Sequence, residues 1–357
     1  MQQQSFATTE VGQGCLLAFV EIGFMAKTTT KVDRKATSKQ TKQTKQTKQK
    51  TASGEFLSLG EYAHRIIAKQ YHRLVKQEEG VLQDKDPEHL HQMRVATRRL
   101  RTALQVVGVA VKLPKPAQAK HVQALTKVLG TLRDLDVQIA ALQNEYHPQV
   151  PAAEQKLIEQ AIKHLHKQRN DAFAEVKSAL TEERYGDLKA AYKTWLDQPE
   201  YTPLAQLPLE AVLPELLSPL LSELLLHPAW LIAAADQSGD GGETLHDLRK
   251  TCKHARYQAE FFTEVYTKSF EAWVNELKQI QENLGIVQDT HVLLGILADD
   301  VLDSALADKM PKLNHAIQQQ QTSAMTDWDA TRLKYLDTKF RRSLYQMILS
   351  PSLSTSK

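Results

Sequence analysis

HQMRVATRRLR, residues 91–101, packs five basic residues into eleven positions. His91, Arg94, Arg98 and Arg101 stand at i, i+3, i+7 and i+10. At about 100° per residue, this spacing gathers four basic side chains within roughly 80° of one helix face. Met93, Leu100, Leu104 and Val107 fall on the other side. The segment therefore predicts an amphipathic helix with its apolar face in a bundle and its cationic edge toward a solvent groove. Like charges at i+3 and i+4 cost an isolated helix about 0.2–0.5 kcal/mol per pair. Such a row implies an anion set against it, supplied either by the protein or by a ligand.

The pattern is written twice. At an offset of 155 residues, His246, Arg249, Lys253 and Arg256 repeat the spacing. A second block follows at the same offset: Leu129, Gly130 and Asp134 of LGTLRD correspond to Leu284, Gly285 and Asp289 of LGIVQD. His and Asp are 43 residues apart in both copies. Two blocks sharing one offset predict duplication of a four-helix unit. The expected fold is all-α, with two four-helix bundles related by a pseudo-twofold.

Around these blocks the 3.6-residue period, punctuated by Pro and Gly, predicts helices at 57–80, 87–111, 117–146 and 151–196, the last broken near Thr181. A connector with Pro199, Pro203 and Pro208 follows, then helices at 209–236, 243–266, 270–303 and 309–349. Breaks are expected at 238–242 and near Pro311. This divides the chain into a tail at 1–54, a first half at 55–200, a second half at 205–350 and a C-terminal end at 351–357.

Composition limits the partners. Residues 27–50 hold nine Lys or Arg, among three successive TKQ triplets. With almost no large apolar side chains they cannot offset their ordering entropy, so a disordered basic tail is expected. Two roles stay open for it: a solubilising linker, or an electrostatic arm for polyanions such as RNA. Residues 54–357 hold 36 basic and 39 acidic residues, a net charge of −3. Attraction for a polyanion must therefore come from the stripes. With two cysteines and no membrane-length apolar run, a cytoplasmic protein is expected. Residues 15–26 are interrupted by Glu21 and lack a positive flank, unlike a signal peptide, and Met25 opens a run that reads as a natural N-terminus.

Four cations stepping along a helix can track a chain of phosphates over roughly 15 Å. Arginine suits that task, because its planar fork grips phosphate oxygens in pairs. Arg99 and Lys250 stand at the stripe edges, Arg133 on the following helix, and Lys339, Arg341 and Arg342 near the C-terminal end. Asp134 and Asp289 are candidates to orient an Arg or His, and Tyr257 neighbours the second stripe. No metal is expected, because His91 and His246 sit beside Arg94 and Arg249, which repel a divalent cation. There is no Walker loop, GxSxG, HExxH or paired-Cys motif, so neither catalysis nor a cofactor is expected.

The segments HQMRVATRRLR and LGTLRDLDV, with HDLRKTCKHARY at 246–257, closely resemble the signature blocks of the CHAD family, the conserved-histidine α-helical domain. The resemblance covers about 56–349. It implies two four-helix bundles around a basic central cavity that binds inorganic polyphosphate and can carry the protein to polyphosphate granules. The matching positions are His91, Arg94, Arg98, Arg99, Arg101 and Arg133, then His246, Arg249, Lys250, Lys253, Arg256 and Tyr257. His254 stands where the family is often basic, and Gln288 where the first copy has Arg133, which implies weaker binding by the second half. The expected function is non-catalytic polyphosphate binding. The alternatives are a nucleic-acid-associated protein or an accessory subunit of a phosphate-processing enzyme.

Overall fold

The computed structural model describes residues 57–236, 240–297 and 309–351. The tail expected at 1–54, residues 352–357 and the continuation of a helix to 303 lie outside them. Among the described residues the chain is α-helical, with 3-10 and π turns between helices and no β-strand. Two isolated bridges, Ser58 with Pro208 and Val111 with Tyr201, pin loop to loop. No described helix is long and apolar enough to cross a membrane.

Local chemistry starts and stops the elements of the first half. Helix α1 (Leu59–Lys76) opens with a capping box: the Glu61 N–H donates to Ser58 Oγ at 3.2 Å and the Ser58 N–H to Glu61 Oε2 at 2.9 Å. Helix α2 (Glu78–Gln83) ends on Asp84, whose φ of 49° is a left-handed conformation. The Asp84 carboxylate is gripped there by Arg169 at 2.6 and 2.8 Å, which helps hold a backbone shape unfavourable for a residue with a Cβ. Helix α3 (Pro87–Val107) carries the first stripe. Asp86 caps it by accepting from the Glu88 N–H at 2.9 Å, with Pro87 in its first turn. Helix α4 (Ala119–Ala141) runs into a π turn, and α5 (Ala152–Thr181) yields to α6 (Glu183–Asp197) at extended Glu182, where the break was expected.

In the second half the boundaries depart from expectation. Helix α7 (Leu209–Leu225), which runs through Pro214 and Pro219, stops well short of 236, and the chain then turns through Pro228–Leu231. Helix α8 (Asp240–Ala259) includes Gly241 and Gly242, placed in a break by sequence, and ends before 266 as Phe261 and Phe262 turn into the core. After α9 (Lys268–Leu297), the single helix expected at 309–349 is three: α10 (Pro311–Ala324), α11 (Trp328–Leu336) and α12 (Thr338–Ile348). Trp328 stacks on Trp230 at 5.7 Å and donates to the Ile232 carbonyl at 2.9 Å, which draws α11 onto the turn after α7. Asp337 then caps α12 by accepting from the Phe340 N–H at 2.8 Å.

Helix α3 packs on α1 and α4, and α4 on α5; α8 packs on α7 and α9, and α9 on α10. The order of packing is the same in the two sets. Met93, Leu100 and Val107 are fully buried and Leu104 nearly so, as the apolar face of α3 predicts. Burying one such side chain contributes about 1.5–3 kcal/mol. The sets meet where α3 packs on α8 and α1 on α7, and their buried apolar side chains form one continuous core. Across the same boundary, buried Glu154 of α5 accepts from the Lys312 and Leu313 N–H groups at 3.2 and 3.0 Å, capping α10.

Candidate functional site

The contact between α3 and α8 brings the two basic edges together. Asp134, on α4, lies within electrostatic reach of Arg94, Arg98 and Arg133 from the first half and Arg249 from the second. Arg94 Nη2 donates to Asp134 Oδ1 at 3.0 Å. Gly130, one turn earlier on α4, lies beside the same side chain: a Cβ there would stand 3.7 Å from Arg94 Nε, an ordinary contact distance. Arg249 faces Asp289, with Nη2 and Oδ1 3.8 Å apart. The LGxxxD block thus supplies each half with a carboxylate for its i+3 arginine.

The side of the seam nearer the helix ends is built around Tyr257. The guanidinium carbons of Arg98, Arg99 and Arg256 stand 5.1, 5.8 and 4.5 Å from its ring centroid, within cation–π range. Glu260, just past α8, pairs with Arg99 of α3 and, at 3.4 Å, with Arg256 of α8. Nearby, His254 has Arg98, Arg101, Lys250 and Glu223 around it. Lys250 itself pairs with Asp247 at 2.7 Å.

The stripes are not an open groove along their length, as sequence predicted. Arg94, Arg249, Lys253 and Arg256 are only 8%, 1%, 7% and 4% exposed, while His91, Arg98, Arg99, Arg101, Arg133 and Lys250 are half-buried. Burial of cations demands nearby anions, and Asp134, Asp289 and Glu260 stand beside Arg94, Arg249 and Arg256. A cavity of about 70 Å³ between α4 and α9 has Val137, Ile286, Leu293 and Tyr146 in its wall beside Glu145 and Asp289. The basic seam borders it through the Arg249–Asp289 pair.

Burial dominates the titration of the seam. It raises the Asp134 carboxyl above its ordinary value despite the four guanidinium groups that oppose it. It lowers Arg249 as well, with Arg98 adding to the effect and Asp289 and Asp134 resisting it. His246 is pushed down to about 4 by burial and by Lys250 and Arg249, and its buried Nδ1 has no hydrogen-bond partner. Its imidazole is therefore neutral at pH 7. Cys252, on the same helix, is fully buried, and burial pushes its thiol up.

Lys339, Arg341 and Arg342 belong elsewhere. They lie on α12, which packs on α7 and α11. Arg341 donates to the Leu225 carbonyl at the end of α7, whereas Lys339 and Arg342 are exposed. Conversely, Glu260 was not singled out from sequence. The available signal was its i+4 spacing from Arg256, which places an acid beside the last cation of the stripe.

A family model, that of the CHAD domain, matches residues 65–298. Among solved structures, the crystal structure of the CHAD domain from the plant Ricinus communis superposes with a TM-score of 0.51 at 24% identity, covering 84% of this chain and 95% of that one. That likeness is one of fold. PptA from Streptomyces chartreusis gives a TM-score of 0.48 at 14% identity, covering 75% of this chain and 99% of that one. No curated protein matches the chain.

Proposed function

Because the chain belongs to the CHAD domain family, we propose that the seam between α3 and α8 binds inorganic polyphosphate without turning it over, and that this binding can hold the protein on polyphosphate granules. The observation that carries the reading is the meeting of Arg94, Arg98 and Arg133 with Arg249 of the other half around the one carboxylate of Asp134. Among the described residues, Arg94, Arg98, Arg99, Arg101, Arg133, Arg249, Lys250, Lys253 and Arg256 line the seam as nine cations, and Asp134, Asp289, Glu260, Asp247 and, facing Arg133, Asp136 are five carboxylates beside them. The surplus of positive charge suits a polyanion whose charges repeat at short intervals. The half-buried members present guanidinium forks from which phosphate oxygens accept hydrogen bonds.

A specific observation weighs against nucleic acid as the principal ligand. Base recognition on single strands relies on exposed aromatic platforms, yet Tyr257 is 5% exposed and enclosed by three guanidinium groups. Its ring face is already taken.

The test is titration of the full chain with long-chain polyphosphate, beside a variant carrying Arg98→Gln, Arg101→Gln and Lys250→Gln, all half-buried positions. The variant should lose at least about tenfold in affinity, equivalent to 1.4 kcal/mol, at unchanged helicity. Wild-type binding should survive excess RNA of equal phosphate concentration. Unchanged affinity in the variant overturns the assignment of the seam.

A further inference from the structure

Glu260 holds a position that the binding of a polyanion does not require. It follows the last turn of α8, where its N–H donates to the Arg256 carbonyl at 2.8 Å, so its own backbone pins it beside the seam. From there the carboxylate reaches Arg99 on α3 and Arg256 on α8 together. Arg256 is almost entirely covered, whereas the Glu260 and Arg99 side chains are 21% and 27% exposed. Solvent can therefore reach the carboxylate and one of its two partners. Both arginines also flank the Tyr257 ring, a second contact for each that does not involve the carboxylate. The result is a preformed two-guanidinium anion site with a tethered anion already in it.

We infer that Glu260 is a built-in competitor that occupies a phosphate position of the seam and thereby sets a minimum length for the chains it accepts. The inference rests on the polyphosphate reading above. A tethered group acts at an effective concentration in the millimolar range or higher. A short phosphate arriving from solution must displace it at its own, lower concentration. A long chain already held by Arg98 and Arg101 presents its next phosphate intramolecularly, on the same terms as Glu260, and brings more charge. The carboxylate then moves into solvent, toward which it is already partly open. Discrimination by length arises with no pocket that measures length.

The experiment compares wild type with Glu260→Gln, which keeps the shape and an oxygen that can accept from arginine but removes the charge. Both are titrated with tripolyphosphate and with long-chain polyphosphate. The Gln variant should bind tripolyphosphate about tenfold more tightly than wild type, and the long chain no more than about threefold more tightly, so that preference for length shrinks. A Gln variant with wild-type affinity for tripolyphosphate overturns the inference while leaving the seam reading intact. Wild type that fails to bind the long chain overturns both. Glu260→Asp, which retains the charge but draws it back by one methylene, should gain less than the Gln variant. An equal gain would trace the effect to loosened packing and overturn the proposal. If the Gln variant does not fold, the Asp variant decides alone: a gain on tripolyphosphate larger than its gain on the long chain supports the competitor, and an equal gain on both, or none, overturns it.

Discussion

Arg94 and Asp134 form a hydrogen-bonded ion pair of 3.0 Å inside the protein, the arginine 8% and the aspartate 2% exposed. Removing one partner of a buried pair leaves the other charge uncompensated, at a cost of about 3–5 kcal/mol. Asp134 also faces Arg98, Arg133 and Arg249, so its loss exposes those groups to mutual repulsion. Asp134→Ala is expected to lower the urea midpoint by a corresponding amount. Added polyphosphate should restore part of the loss by mass action. A midpoint equal to wild type would mean that the seam cations are satisfied by other groups.

His246 makes both stability and binding depend on pH. Its folded value of about 4 lies below the ordinary 6.5, so between the two the unfolded chain binds more protons. The stability it contributes is complete above 6.5 and is lost as pH falls toward 4. Phosphate oxygens beside the ring act in the opposite sense, favouring the imidazolium. Polyphosphate affinity should therefore rise as pH falls from 7 toward 5, with proton uptake detectable by calorimetry in buffers of different ionisation enthalpy. His246→Gln should flatten both dependences; a pH profile identical to wild type would exclude the imidazole as their source.

The cations of α12 provide an internal control. Lys339→Gln with Arg342→Gln should leave polyphosphate affinity within about twofold of wild type, since neither residue lies on a helix of the seam. Arg341→Gln removes a charged donor from the Leu225 carbonyl, and a partly exposed bond of that type is worth about 1 kcal/mol. The expected outcome is a lower melting temperature with normal binding. Loss of binding in the double variant would extend the site to α12.

Glu154 ties the two sets of helices together without taking part in the seam. Glu154→Ala strands two N–H groups at the start of α10, a loss of about 1–3 kcal/mol. Amide exchange should accelerate at Lys312 and Leu313 in the variant, while polyphosphate affinity stays unchanged. Wild-type protection at those amides would show that water or another acceptor replaces the carboxylate.

Much of this was legible in the residues themselves. The i, i+3, i+7, i+10 rows, the apolar residues opposite them and the break near Thr181 follow from a helical period that neighbouring chain segments do not alter. The LGxxxD blocks led to Asp134 and Asp289 because a fixed spacing on one helix places them at a fixed level. The boundaries of α7, α8 and the last three helices were not legible. They depend on aromatic side chains, Trp230 with Trp328 and Phe261 with Phe262, that gain more from burial in distant contacts than their segments lose by ending a helix. The burial of the stripe was hidden for a similar reason: amphipathicity tells which face is apolar, and it does not tell whether the polar face meets water or another polar face.

That two helices carry matching cationic edges on an all-helical scaffold is written in the residues, because period and charge are properties of a segment. Packing of the whole chain is what turns the edges toward one another, lets Asp134 join both, pairs Glu260 with Arg99 and Arg256, and sets α12 apart. Coulomb interactions between residues as far apart in the chain as Arg99 and Glu260 depend on distance and burial in the folded molecule, and neither exists until the core has packed.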